Sequence, residues 1–253
     1  MKLLVINPNI SGSVTALIEA EARRAALPDT QLTLCTAQAG VAYIETPAEA
    51  VVAAYETFVL LARHHAGHDA AIVAAFGDPG VAQAREIMPM PVIGLTEAAL
   101  ANAFLLGGRF GIVGISERIG HWYQEVVQTL GMSDRFCGYR GLGQAFADVG
   151  TVHEEARDML LQLCLQRVRE GADSIILAGA PLAGLAREIE DRVPVPLIDG
   201  VGSAVRMAEA MARAGYRPRQ AGSLAPPPCK DARNLEPSLA ALIGRSNTLR
   251  ESQ

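Results

Sequence analysis

Polar and glycine-rich turns follow several predicted strands, and they carry residue types that bind anions or move protons. Asn7-Pro8-Asn9-Ile10-Ser11 leads from the first strand into a helix. Its amide and hydroxyl groups, with the helix N-terminal N–H groups, suit a carboxylate or a polarised carbonyl. In Phe76-Gly77-Asp78-Pro79-Gly80, two glycines allow backbone N–H groups to point at an anion. Simple helix capping by Ser11 or Asp78 is the structural alternative.

Two more strand exits repeat the pattern at Thr96-Glu97 and Ser116-Glu117, although Ser or Thr followed by Glu is also an ordinary helix start. Tyr43 and Glu45 precede a predicted helix, and they either fold over the site or lie in a surface loop. The groups that can position water or accept a proton, and hence the catalytic candidates, are Asp78, Glu45, Tyr43 and His121.

Composition excludes several classes of protein. The chain has 253 residues, of which 50% are hydrophobic and 19% charged, which is too apolar for a disordered protein. The formal net charge is −5 and the basic residues are scattered, so we expect neither a nucleic acid nor a membrane surface as partner. Only four apolar residues, Leu3 to Ile6, follow Met1-Lys2, too few for a secretory signal, and we expect a cytoplasmic protein.

Motif searches give no indication of a cofactor. The sequence has no phosphate-binding GxxxxGK[ST], no GxGxxG opening a helix, and no HExxH or GxSxG motif. Four cysteines, Cys35, Cys137, Cys164 and Cys229, lie far apart and read as free thiols rather than as disulfides or a zinc site. We therefore expect a small-molecule substrate and no cofactor or metal.

Short β-type runs alternate with longer Ala-, Glu- and Arg-rich stretches of helical period. This alternation predicts parallel sheets covered by helices on both faces. The predicted strands are 2–6, 31–35, 69–76, 92–95, 110–115, 174–178 and 197–198, and the predicted helices are 13–26, 47–65, 117–130, 152–170 and 203–214.

An internal repeat divides the chain. Asp69 to Phe76 aligns with Asp173 to Ala180 at an offset of 104 residues, and Met90-Pro91-Val92 resembles Val195-Pro196-Leu197 at nearly the same offset. The repeat predicts two pseudo-symmetric α/β lobes, each with a four-stranded parallel sheet, and a site in the cleft between them. We define lobe 1 as residues 1–96 plus 201–253, including a Pro-rich tail with a short helix near Pro237, and lobe 2 as residues 97–200.

The strand-end motifs carry a family resemblance. Asn7-Pro8-Asn9-Ile10-Ser11, Phe76-Gly77-Asp78-Pro79-Gly80 and Val195-Pro196-Leu197-Ile198-Asp199-Gly200 resemble, in this order, motifs of the aspartate/glutamate/hydantoin racemase superfamily, closest to its hydantoin and allantoin racemase branch. The resemblance covers roughly residues 2–214. It implies a homo-oligomeric, cofactor-independent enzyme in which two cysteines, one from each lobe, exchange a proton at the substrate α-carbon.

Both cysteine positions differ in this chain. The first, directly before the Phe-Gly-Asp-Pro-Gly turn, is Ala75, and the second is Gly179. Neither side chain transfers protons, so racemisation by two thiols cannot operate in the usual form. We expect the substrate-binding set Asn9, Ser11, Ala75, Phe76, Gly77, Gly80, Thr96, Ser116, Gly179 and Ala180.

Three interpretations of the missing thiols follow. The chain is a diverged enzyme that acts on a hydantoin-like cyclic ureide or a small amino-acid-derived carboxylate, with hydrolase or lyase chemistry at a (thio)hydantoin-like ring as one outcome. Alternatively it is a non-catalytic binding protein. An engineered cysteine-free variant is a third reading, disfavoured because glycine is an unusual replacement for cysteine.

Overall fold

Two four-stranded parallel sheets form the framework of the molecule. The computed structural model describes residues 1–143, 146, 148–217, 221–228 and 230–244. In the first sheet the strand order is β2-β1-β3-β4, and in the second it is β6-β5-β7-β8. The strands are β1 Lys2–Asn7, β2 Gln31–Thr36, β3 Ala70–Val73, β4 Val92–Gly94, β5 Phe110–Val113, β6 Phe136–Arg140, β7 Ser174–Leu177 and β8 Leu197–Asp199. The predicted α/β class with two parallel sheets is confirmed.

Helices flank both sheets. They are α1 Gly12–Ala25, α2 Pro47–His64, α3 Val81–Ile87, α4 Leu95–Leu106, α5 Gly120–Thr129, α6 Val152–Glu155, α7 Arg157–Arg169, α8 Leu185–Ile189, α9 Gly200–Arg213 and α10 Pro237–Gly244. The single helix predicted over 152–170 is wrong in one respect, because Ala156 has φ −117° and ψ 14° and interrupts it. Sequence patterns did not predict α3, α4, α8 or β6.

Local sequence explains where the main elements begin. Thr46 and Glu49 form a capping box at the start of α2, where Pro47 occupies the first turn. The four central residues of β1, Leu3 to Ile6, are all buried, as expected for a strand covered on both faces. Burying side chains of this size contributes about 1.5–3 kcal/mol each.

The predicted repeat is visible in matching backbone contacts. Asp69 donates its N–H to the Lys2 carbonyl, and its carboxylate accepts the Lys2 N–H at 2.8 Å. Asp173 makes the same two contacts with Arg109, and its carboxylate again accepts the N–H at 2.8 Å. In each sheet an Asp at the start of the third strand therefore fixes the register of the first strand.

The helices that follow β4 and β8 cross between the sheets. Helix α4 contacts β7 and β8, whereas α9 contacts β3, β4 and α1. The two helices also pack on each other, and a Cβ at Gly200 would lie 3.3 Å from the Leu95 Cβ. One continuous core therefore spans both sheets. The division into 1–96 plus 201–253 and 97–200 stays a prediction.

The C-terminal segment returns to the first lobe. Helix α10 packs on α2, and Arg63 pairs with Glu236 at 3.1 Å. The predicted short helix near Pro237 is present, whereas Cys229 and residues 245–253 of the predicted tail lie outside the described residues. Among the residues that are described, no helix is long and apolar enough to span a membrane.

Candidate active site

The turn after β1 is fixed by asparagine side chains. Asn7 is buried, and its Nδ2 donates to Asn9 Oδ1 at 3.0 Å and to Thr15 Oγ1 at 2.9 Å. Asn9 Oδ1 also accepts the Ser11 N–H at 2.9 Å. In the described part of the chain nothing pairs with Asn9 Nδ2. Since its oxygen is held from two sides, Asn9 presents a fixed N–H donor.

Serine residues complete this turn. The Ser11 hydroxyl accepts the Val14 N–H at 3.2 Å, so the capping explanation for Ser11 holds. The same hydroxyl lies 2.8 Å from Ser13 Oγ, which in turn donates to Asp148 of lobe 2 at 2.9 Å. Ser11 thus belongs to a hydrogen-bond chain that joins the two lobes.

The turn after β3 is braced by Asp78, which adopts a positive φ of 52°. Its two carboxylate oxygens accept the Thr96 N–H at 2.8 Å and the Glu97 N–H at 2.9 Å, at the start of α4. The Thr96 hydroxyl accepts the Gly77 N–H at 2.6 Å. A Cβ at Gly94 would overlap the Asp78 carboxyl group, so only glycine leaves room for this brace.

Burial dominates the electrostatics of Asp78. It raises the pKa of the carboxyl to about 7, the negative charge of Glu97 adds to the effect, and the N–H groups of Thr96 and Glu97 oppose it. Both oxygens are occupied by backbone donors. Asp78 was a predicted catalytic base, and the geometry instead favours a positioning role for it.

The turn after β7 is braced in the same way by a carboxylate from the opposite side. Asp199, at the end of β8, accepts the Gly184 N–H and the Gly202 N–H, each at 2.8 Å. Burial raises the pKa of Asp199, while these backbone N–H groups oppose the rise. Both strand-end turns are therefore held against the N-terminus of a following helix, α4 or α9.

Among the backbone N–H groups at these braced turns, four that lie close to the strand ends have no acceptor in the described residues. They belong to Ala75 and Phe76 after β3 and to Gly179 and Ala180 after β7. Gly179 has φ 110°, a conformation that favours glycine. Buried N–H groups are almost always paired. We call these four groups the amide cradle, because such donors suit an anion or a carbonyl oxygen.

Loop and aromatic residues from both lobes surround this region. Glu45 accepts a hydrogen bond from the Ser116 hydroxyl, which links the loop before α2 to lobe 2. Tyr43 is largely buried, and burial raises the pKa of its phenol, with the charges of Glu45 and Glu49 adding to the rise. Tyr139 donates to the Ser116 carbonyl at 2.6 Å. The structure thus brings Tyr43, Glu45 and Ser116 into one region, and the folding of this loop over a substrate stays a prediction.

A family model for Asp/Glu/Hydantoin racemase matches residues 3–208. The chain belongs to the Asp/Glu/hydantoin racemase family. The hydantoin racemase of Paenarthrobacter aurescens is 32% identical over 235 residues, covering 90% of this chain and 98% of that protein. This membership confirms the resemblance seen in the strand-end motifs and identifies the chain as a racemase-family enzyme.

Solved structures of two allantoin racemases have the same fold. The enzyme from Klebsiella pneumoniae is 30% identical, with a TM-score of 0.89 over 94% of this chain and 98% of that chain. The enzyme from Pseudomonas fluorescens is 28% identical, with a TM-score of 0.87 over 92% of this chain and 100% of that chain.

Two predicted site residues of this racemase-family chain lie apart from the amide cradle. His121 is a correction: its side chain is 84% exposed on α5 and pairs with Glu125 at 3.2 Å, so it does not join the other catalytic candidates. Gly80 is the N-cap residue before α3 and has φ 81°, and a Cβ there would lie 3.2 Å from the Ala54 carbonyl oxygen. Gly80 is needed for close packing on α2.

A groove of about 620 Å³ lies beside Gly80, between α2, α3 and α5. Its walls include Ala50, Ala54, Trp122 and Val126, together with Asp78. None of the four residues of the amide cradle lines it. The groove and the cradle are therefore different features.

The described cysteines lie away from the two family cysteine positions. Cys35 is on β2 and Cys137 on β6, where its thiol lies 3.7 Å from the Gly171 carbonyl oxygen. Cys164 is buried in α7, and burial raises the pKa of its thiol to about 12. Within the described ranges, no group of three or more His, Cys, Asp and Glu side chains is arranged to hold a metal ion.

Sequence reasoning missed the aromatic wall of the site. Tyr123 lies edge-on to Phe76 with ring centroids 4.8 Å apart, and Tyr139 lies 5.7 Å from Tyr123. The Trp122 ring fills the space beside Gly77. The available signal was the adjacent pair Trp122-Tyr123 in a chain with only 5% aromatic residues.

Proposed function

We propose that this chain is a cofactor-independent enzyme of the hydantoin racemase type that acts on a hydantoin-like cyclic ureide or a small amino-acid-derived carboxylate. The observation that carries the proposal is the amide cradle at Ala75, Phe76, Gly179 and Ala180. Cyclic ureides and carboxylates present oxygens that accept such N–H groups, and an enolate oxygen accepts them more strongly. Similarity to hydantoin and allantoin racemases supports the substrate class.

The surrounding residues have different parts in this proposal. Asn9, in lobe 1, offers its Nδ2 as a further N–H donor for the substrate. Ser11 and Thr96 hold their turns in place through their hydroxyl groups. Asp78 positions the amides of Ala75 and Phe76 by fixing the turn that follows them.

The proton-transfer groups differ from those of a two-thiol racemase. Ala75 and Gly179 offer no acid or base. The pair Glu45–Ser116 is the candidate in their place, since a carboxylate that accepts a hydroxyl proton can act as a general base. Tyr43, close to Glu45, forms part of the same wall.

A second candidate function is hydrolysis or elimination at a hydantoin-like ring, and the pair Glu45–Ser116 favours it. In hydrolysis, Glu45 accepts a proton from water while the water oxygen bonds to a ring carbonyl carbon. The ring C–N bond then breaks as Glu45 returns that proton to the departing ring nitrogen, which leaves the ring-opened carboxylic acid and restores the Glu45 carboxylate. The amide cradle would stabilise the oxyanion formed in this step.

Incubation of the enzyme with enantiopure 5-methylhydantoin in deuterated water distinguishes these outcomes. Proton NMR and chiral chromatography are expected to show deuterium at C5 with loss of optical purity if the reaction is racemisation. A product of new mass without exchange at C5 supports the hydrolase or lyase alternative. Binding with neither change supports a non-catalytic protein, and absence of binding contradicts the proposal. Glu45→Gln is the matched variant, because it keeps the shape of Glu45 and removes its basicity.

Assembly and location belong to the same proposal. We expect a homo-oligomer in the cytoplasm with a small-molecule substrate, without nucleic acid or membrane partners. Light scattering coupled to size-exclusion chromatography tests the assembly, and a mass equal to 26.7 kDa contradicts it.

A further inference from the structure

Tyr123 is held beside the amide cradle by aromatic packing. It lies on α5 and is only 2% exposed. Its ring is edge-on to the ring of Phe76, whose backbone N–H belongs to the cradle, with 4.8 Å between centroids. Contact with Tyr139 at 5.7 Å fixes it from the other side. The position of this side chain is therefore set relative to the turn after β3.

The hydroxyl groups of Tyr123 and Tyr139 differ in their partners. Tyr139 donates to the Ser116 carbonyl at 2.6 Å, whereas no group in the described ranges pairs with the Tyr123 hydroxyl. Buried tyrosine hydroxyls normally have a partner, because leaving one unpaired is costly. Six side-chain polar atoms in the described residues are enclosed without a partner, and the Tyr123 hydroxyl is not among them. It is thus unpaired but not sealed into the core.

The surroundings of Tyr123 keep its proton in place. Burial raises the pKa of the phenol well above its usual value, and the neighbouring Tyr43, Tyr139 and Asp78 add to the rise. Two of these neighbours belong to the candidate site: Tyr43 lies in the loop before α2, and Asp78 holds the turn after β3 against the start of α4. At neutral pH the group is an O–H donor directed by a rigid ring.

We propose that the Tyr123 hydroxyl is a substrate-binding group that donates a hydrogen bond to a carbonyl oxygen of the bound ureide. This assignment rests on the proposed function. The Tyr123 ring packs directly on the Phe76 ring, which places this side chain next to the residue that supplies one amide of the cradle. A ligand with two carbonyl oxygens, as in a hydantoin ring, satisfies both the cradle and Tyr123.

The test compares two tyrosine-to-phenylalanine variants in binding 5-methylhydantoin by isothermal titration calorimetry. Tyr123→Phe keeps the ring packing and is expected to raise the Kd about 5- to 10-fold, the loss typical of one hydrogen bond. Tyr216→Phe is the control for binding, because Tyr216 is 62% exposed and lies outside the site. It is expected to leave the Kd unchanged.

Thermal unfolding supplies a second readout that separates a ligand-binding hydroxyl from a structural one. Tyr123→Phe is expected to keep or raise the unfolding midpoint, because it removes an unpaired buried group, whereas Tyr139→Phe lowers the midpoint by losing its bond to Ser116. An unchanged Kd in Tyr123→Phe, or an unfolding midpoint that falls as it does in Tyr139→Phe, overturns the assignment of Tyr123 as a substrate-binding group and leaves the proposed function standing. Failure of the unmodified enzyme to bind 5-methylhydantoin overturns the proposed function together with it.

Discussion

Restoring the two missing thiols tests whether Ala75 and Gly179 face the reacting carbon. Ala75 is 6% exposed and is not among the residues with positive φ, so Ala75→Cys suits the backbone. Gly179 has φ 110° and ψ 139°, a conformation that L side chains rarely adopt, so Gly179→Cys strains the backbone by about 1–3 kcal/mol. Space is not the obstacle, because the nearest atom to an added Cβ is Pro181 Cδ at 3.6 Å. We expect the double variant to fold with that loss of stability, measured by urea denaturation.

The double cysteine variant is expected to racemise enantiopure 5-methylhydantoin. Positioned acid and base groups typically contribute 10²–10⁴-fold, so polarimetry should record a rate increase of about 100-fold or more. The rate should rise as pH approaches the ordinary thiol pKa of about 8.5. The double serine variant at the same positions is the matched control, since it adds similar bulk without a usable base. The double cysteine variant must first be shown to fold, to bind the ureide and to have thiols that can be alkylated. If it then racemises the ureide no faster than the serine control, Ala75 and Gly179 do not face the reacting carbon.

Three further predictions concern the braces. Because burial raises the pKa of Asp78 to about 7 against about 4 when unfolded, the stability from this group is present below pH 4 and is lost as pH rises to about 7. Urea denaturation should show that the free energy of unfolding of the unmodified protein falls by about 1–4 kcal/mol over this pH range, whereas that of Asp78→Asn does not. If the difference in unfolding free energy between the two proteins is the same at every pH, the prediction is contradicted. Gly94→Ala should cost about 1–3 kcal/mol by displacing the Asp78 carboxyl, and an unchanged denaturation midpoint would exclude the brace. Gly77→Ala, with φ 98° and the Trp122 ring in the way, should cost about 2–5 kcal/mol in the same assay, and a loss below 1 kcal/mol is the contrary result.

Apart from β6, the strand positions and the repeat were predictable because they depend on local patterns. The amino-acid sequence alone shows the apolar run Leu3 to Ile6 and the similarity between Asp69 to Phe76 and Asp173 to Ala180. The structure explains the match, since Asp69 and Asp173 make the same contact with the first strand of each sheet. Short helices such as α3 and α8 were missed because five to seven residues carry too little periodicity.

Roles within the site were less predictable, because they depend on partners distant in sequence. From the sequence alone, Asp78 is equally well interpreted as a catalytic base or as a helix-capping residue. Its hydrogen bonds from the Thr96 and Glu97 N–H groups decide between the two roles. His121 has a catalytic residue type but faces solvent. Tyr123 has no motif around it, and only packing against Phe76 places it at the site.

The amide cradle is tested most directly by ¹H–¹⁵N correlation NMR during titration with 5-methylhydantoin. The account predicts that the backbone amides of Ala75, Phe76, Gly179 and Ala180 shift together and saturate at one Kd. Shifts confined to the groove between α2 and α5, for example at Ala54 and Val126, with these four amides unmoved, would contradict it.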